Sequence, residues 1–175
     1  MNLRAGYTEF SIIQVHDTSV SEELLDLVRR SSIYFAHVAN ISLYTRDGHY
    51  TIPELNETRG DYADAILNDT VFAILHRNKF IAHVRLISDY QSRKTLLTRF
   101  AIDPDYINMN IEATLLSEVA SFLKMYDMEE LYVYIPIENE YLMNIYRENL
   151  YLPYSINDGI PYPIACLVRR LYRER

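Results

Sequence analysis

The sequence predicts a single domain of α/β (α+β) class, with a mixed, mostly antiparallel sheet and helices on both faces. Three observations predict it. Apolar-rich runs of five to nine residues recur at 70–75, 80–87, 94–102, 131–135 and 164–168, bounded by turn or breaker residues. A short polar turn alone separates the first two, so they pair as a hairpin. Stretches with helical spacing lie between the later runs, giving the order helices, antiparallel meander, then β-α-β-α-β. A chain of 175 residues suits one domain.

Phe10–Val15 is a short β-prone run. Ser19 or Ser21 caps a helix whose first turn holds Glu22 and Glu23 and whose apolar face is Leu24, Leu25, Leu27 and Val28. A second short helix is expected around Ile33–Ala39. From Asn40 to Gly60 the chain is polar, with a turn at Asp47 and Gly48 and a breaker at Pro53. Such an excursion is usually functional or mobile. Arg77 and Asn78 turn the hairpin between Thr70–Leu75 and Phe80–Ile87; Lys94–Ile102 is the third strand, closed by Asp103 and Pro104. Ile111, Leu115, Leu116, Val119, Phe122 and Leu123 form one face of a helix. Strand Leu131–Ile135, helix Glu140–Glu148 and strand Ile164–Val168 complete the reading.

Composition excludes several functions. With 49% hydrophobic and 23% charged residues the chain is an ordinary globular protein. The lone Cys166 forms no internal disulfide, and no residues have zinc-ligand spacing, so no metal is expected. The N-terminus lacks a signal-peptide pattern and no 18 consecutive residues are apolar, which predicts a soluble cytoplasmic protein with no membrane span. A net charge of −7 argues against nucleic acid. Arg169, Arg170, Arg173 and Arg175 crowd the C-terminus, as a solvated strand end or an anionic-ligand patch. Glycine occurs only 4 times and nowhere from Asp61 to Asp158, which excludes a P-loop or dinucleotide fingerprint there. Nine of the 16 tyrosines fall between Tyr126 and Tyr172, from β propensity or from a homodimer or partner interface.

The stretch from Val71 to Tyr151 resembles the GNAT superfamily of acyl-CoA-dependent N-acyltransferases. In that family a hairpin leads to a strand ending V-x-P. A loop of pattern R/Q-x-x-G-x-G/A then opens a long helix, and a strand, an Asn and a helix carrying Y-x-x-x-G-F follow. Here the strand ends Phe100, Ala101, Ile102, Asp103, Pro104, and Asp105 and Tyr106 match the usual acidic-aromatic pair. Ala113, Thr114, Leu115 and Leu116 match the helix start, Asn139 follows the next strand, and Tyr146–Tyr151 takes the place of Y-x-x-x-G-F.

The departures fall in the phosphate loop. Aligned on Pro104, the basic position is Ile107, the first glycine Asn110 and the second Glu112; the glycine before the last aromatic is Leu150. Helix N-termini bind phosphate through free N–H groups and the dipole, and glycines let the backbone approach. Asn110 is the mildest replacement, because Asn tolerates the left-handed region. Glu112 places a carboxylate where the anion would sit; at ~4–6 Å each like-charge pair costs roughly 3–4 kcal/mol before screening.

The resemblance implies acetyl-CoA or another acyl thioester as donor, put in doubt by Asn110 and Glu112, and a small-molecule or peptide amine as acceptor. It implies that main-chain groups of Phe100, Ala101 and Ile102, freed where the sheet splays, hold the acyl carbonyl and pantetheine. Asn108, Asn110 and Ile111 would line the phosphate loop. Asn139 is a pantetheine contact by resemblance and a helix N-cap by local pattern. Tyr146 stands where the family's general acid protonates the thiolate, and is equally a core tyrosine beside Leu142 and Ile145. No general base is obvious. His83 is the best ionisable candidate, with a water as alternative, since imidazole titrates near neutrality. His37, His49 and His76 show no pairing pattern. Asp47, Glu54, Glu57 and Asp61 make the 40–60 excursion acidic, as a solvated loop or a seat for a cationic amine. Two functions remain open: an N-acyltransferase with an atypical donor, or an inactive GNAT-fold protein that binds a ligand or protein.

Overall fold

A computed structural model describes residues 2–5, 8–158 and 163–171, with side chains from Phe10 onward. Eight strands form one sheet: β1 (Asn2–Ala5), β2 (Thr8–Val15), β3 (Thr70–His76), β4 (Lys79–Asp89), β5 (Lys94–Ile102), β6 (Glu130–Pro136), β7 (Leu152–Asn157) and β8 (Ile164–Arg170). Their spatial order is β1-β2-β3-β4-β5-β6-β8-β7, and only β5 and β6 run parallel. Four helices pack on it: α1 (Ser21–Val38), α2 (Arg59–Asn68), α3 (Ile111–Met125) and α4 (Glu140–Glu148).

Alternation along the strands divides the core in two. On β3, Val71 and Ala73 face Leu24, Leu27, Val28 and Tyr62 of α1 and α2. Phe72 and Ile74 face the opposite layer, where Leu115, Leu116, Val119 and Leu123 of α3 meet Met143 and Tyr146 of α4. The expected helices on both faces are present. Arg77 and Asn78, at φ 50° and 63°, make the β3–β4 turn.

The structure corrects the first helix. It runs unbroken from Ser21 to Val38, in place of one helix plus a short second one at Ile33–Ala39. No Gly or Pro interrupts it, and Ser31 is fully buried at its middle, where its hydroxyl accepts a hydrogen bond from the Ile102 N–H at 3.0 Å. The 40–60 excursion holds a short 3-10 turn at Pro53–Asn56, and its last residues open α2, a helix the sequence reading lacks. Its signal was a capping box: Thr58 Oγ1 accepts from the Asp61 N–H, and Asp61 accepts from the Thr58 N–H. Strands β1 and β7 are also additions. β7 is an edge strand that leaves Leu152, Tyr154 and Ile156 exposed.

Among the described residues no helix is long and apolar enough to cross a membrane, and no three His, Cys, Asp or Glu side chains gather as a metal site. Tyr172, Arg173 and Arg175, named above, lie outside the described residues.

The end of α4 shows how this chain manages with few glycines. The Leu150 N–H bonds the Arg147 carbonyl and the Tyr151 N–H bonds the Tyr146 carbonyl, both near 3.1 Å. This is a Schellman ending, and its left-handed position, ordinarily glycine, is Leu150 at φ 69°. The ending stacks the Tyr151 ring against Tyr146, with centroids 4.9 Å apart. A left-handed leucine costs about 1 kcal/mol, and at 70% exposure its side chain returns little by burial. Leu150→Gly is therefore expected to stabilise the protein by about 1 kcal/mol, read as a rise in urea midpoint at unchanged slope.

Candidate active site

The site begins with one extra residue. From Arg85 to His83, β4 advances two residues, while its partner β5 advances three, from Thr98 to Ala101. Arg99 absorbs the excess at φ 54°. Such a bulge bends its strand. The parallel ladder of β5 with β6 ends at Leu97 opposite Val133, one residue before the bulge, although both strands continue. Beyond that point they diverge around a cleft of about 390 Å³, walled by Leu97, Phe100, Val133, Ile135, Asn139 and Tyr146 and by Ser31 and Phe35 of α1.

Divergence leaves main-chain groups without a neighbouring strand. The Asp103 N–H bonds Ile81 of β4, so by alternation the groups of Phe100 and Ile102 point toward the gap. The Ile102 N–H is already taken by Ser31, as described, which leaves Phe100 as the open edge. Ala101 and Ile102 side chains are buried in the core and do not line the cleft.

Tyr146 and Asn139 reach the cleft from α4. Asn139 is the helix N-cap, its Oδ1 accepting from the Leu142 N–H at 3.1 Å, which leaves its amide N–H groups without a protein partner. The residue thus serves as a cap and lines the cleft at once. Tyr146 is 1% exposed, packed against Phe100 and Tyr151, and its hydroxyl has no protein hydrogen bond. Burial, and secondarily Tyr151, raise its pKa well above 10, so it is a neutral donor at physiological pH.

At another wall of the cleft, Arg99 meets two carboxylates from the 40–60 excursion. Its guanidinium holds Glu57 through two nitrogens (Nε at 2.8 Å), and its Nη1 reaches Thr98 Oγ1 at 2.8 Å and Glu54 at 3.3 Å. Burial works against its charge, but Glu57 and Glu54 outweigh it and raise the Arg99 pKa. Asp61 is spent on the α2 cap and Asp47 is exposed, so of the four acidic residues only Glu54 lines the cleft.

His83 lies elsewhere. It is fully buried beneath α2, with Nε2 2.7 Å from the Tyr62 hydroxyl and Nδ1 without a partner, and it does not line the cleft. Burial, then the Arg99 charge, lower its pKa to about 3, so it is a neutral core histidine.

Asn108 and Asn110 take φ 69° and 59°, left-handed positions that glycine would ordinarily fill, and Asn110 is the N-cap with no side-chain bond. Ile111 is buried in the core. Glu112 is 5% exposed and accepts the Tyr141 hydroxyl at 2.6 Å. Phe35 of α1 stacks on the Tyr141 ring at 5.4 Å. Burial, then the Glu112 hydrogen bond, raise the Tyr141 pKa. At the mouth of α3 the Tyr141 phenol thus donates to the Glu112 carboxylate. Neither Tyr141 nor Phe35 was a candidate in the sequence.

No family model and no curated protein matches the chain. Solved structures do. An acetyltransferase of the GNAT family from Streptococcus pneumoniae superposes with a TM-score of 0.71 at 14% identity, over 94% of this chain and 100% of that one. The chain has the GNAT fold. The PaiA N-acetyltransferase of Thermoplasma acidophilum, solved with coenzyme A, gives 0.70 at 17% identity over 91% of this chain and 99% of its own. The ribosomal-protein-S18-alanine N-acetyltransferase of Escherichia coli gives 0.72 at 13% over 95% and 96%. The likeness to these proteins is one of fold. In this chain the cleft lies between β5 and β6, and the Glu112–Tyr141 contact lies at the mouth of α3.

Opening that mouth tests the fit. Glu112→Gln combined with Tyr141→Ala is expected to tighten coenzyme A binding by tenfold or more, about 1.4 kcal/mol. Pantetheine binding should change less than threefold. Calorimetric titration of both ligands checks this, and an equal change for both would place the effect in the arm's groove instead.

Proposed function

We propose that the protein transfers an acyl group from a thioester to an amine, holding the donor by its pantetheine arm between β5 and β6. The reading rests on Tyr146, a buried phenol with no protein hydrogen bond opening into the gap where the two strands part. A bound thioester supplies an activated carbonyl carbon and a thiolate leaving group. Tyr146 holds its proton at physiological pH and donates it to the departing sulfur as the amine nitrogen bonds the carbonyl carbon, and the proton that nitrogen sheds returns through water to the phenolate. The unpaired Phe100 main chain and the Asn139 amide orient the arm, and the apolar walls exclude water from the carbonyl. The pyrophosphate, where the donor has one, stays outside the α3 mouth. Acyl groups on a bare pantetheine or phosphopantetheine arm therefore serve as well as acyl-CoA.

The Glu112–Tyr141 contact favours a second reading, a GNAT-fold protein that binds a ligand in this cleft without turnover. One experiment separates them. Donor binding is titrated with S-acetyl-pantetheine and acetyl-CoA, and thiol release is then followed with a panel of primary amines. The acyltransferase reading predicts similar affinity for the two donors. It also predicts amine-dependent thiol release that falls ~10²-fold or more in Tyr146→Phe at unchanged donor affinity. Donor binding without release for any amine gives the second reading.

A further inference from the structure

Among the charged groups of the cleft, one is only partly matched. Glu57 takes Arg99 through two nitrogens and is 13% exposed in its side chain. Glu54 has a single contact to the same guanidinium, at 3.3 Å, and is 25% exposed. Arg29 donates to the Glu57 main-chain carbonyl at 3.0 Å, and Arg85 is paired with Asp69. Arg99 thus faces two carboxylates, and the surplus negative charge falls on Glu54, the one of the two that lines the cleft. A carboxylate in a partly desolvated wall needs a counter-charge or donors. The same cleft holds two other polar side chains with unused groups: the hydroxyl of Tyr146, 1% exposed, and the amide N–H groups of Asn139, 4% exposed. A cleft so arranged is apolar in its body, offers neutral donors on the α4 side, and carries one carboxylate with a spare oxygen.

We infer that Glu54 is the specificity residue for the acceptor, and that the acceptor carries, apart from the neutral amine that attacks the thioester, an aliphatic ammonium whose charge is met by the free oxygen of the Glu54 carboxylate. The inference rests on the acyltransferase reading and adds the substrate class to it. Arg99 acts as a positioning residue: it pins Glu57 and holds Glu54 by one oxygen, which leaves the other for the ligand. Neutral acceptors of the same length lose that partner and bind weakly, and a second carboxylate on the acceptor is repelled.

The test uses 1,4-diaminobutane and 1,4-butanediol, which share a span and differ in charge. Each is titrated into the full chain and followed by amide chemical shifts, with S-acetyl-pantetheine titrated in parallel. The unsubstituted protein is expected to bind the diamine at least tenfold tighter than the diol. Glu54→Gln, which leaves Arg99 paired with Glu57, is expected to remove that preference, and Glu54→Asp to restore most of it. A preference that survives in Glu54→Gln overturns the inference. So does a protein that binds S-acetyl-pantetheine but prefers neither probe, and in that case the acyltransferase reading stands. Binding of neither the thioester nor the diamine overturns both.

Discussion

Where β5 leaves its parallel ladder with β6 after Leu97, it also carries one residue more than β4 can pair, and Arg99 takes up the difference in the left-handed region. The bend that follows parts the sheet. The cleft, the open main chain at Phe100 and the seats of Tyr146 and Asn139 all depend on that parting. An arginine in this conformation costs about 1 kcal/mol. The guanidinium offsets it by joining Thr98, Glu57 and Glu54, so the residue that opens the cleft also fixes the loop that walls it.

Substitution for glycine runs through the whole chain. Nine described residues other than glycine have positive φ, among them Asn78, Asn108, Asn110, Arg99 and Leu150. Asparagine tolerates this region best, and three of these five positions use it. The shortage of glycine does not alter the backbone path; it fills the space beside the path with side chains. At the α3 mouth the first helical turn carries the Glu112 carboxylate, which accepts from the Tyr141 hydroxyl.

Local patterns were readable from the sequence, and distant meetings were not. The hairpin turn at Arg77 and Asn78, the apolar face of α3 and the Asn139 cap each depend on neighbours within four residues, and each was anticipated from spacing. The contact of Glu112 with Tyr141 spans 29 residues and that of Arg99 with Glu57 spans 42, so no periodicity announces them. His83 illustrates the converse. Its residue type suggests acid–base chemistry, but strand alternation turns it beneath α2, where burial keeps it neutral. α2 is masked in the sequence although Thr58 and Asp61 form a capping box, because Gly60 and the polar residues around it carry a loop pattern.

The claim that the parted strands form the binding site is tested most directly by hydrogen exchange, residue by residue, with and without S-acetyl-pantetheine. The account predicts slowed exchange at Thr98–Ile102 and Val133–Asn139, with no change at Asn108–Ile111. Protection confined to Asn108–Ile111, or absent from both sides of the gap at saturating ligand, contradicts it.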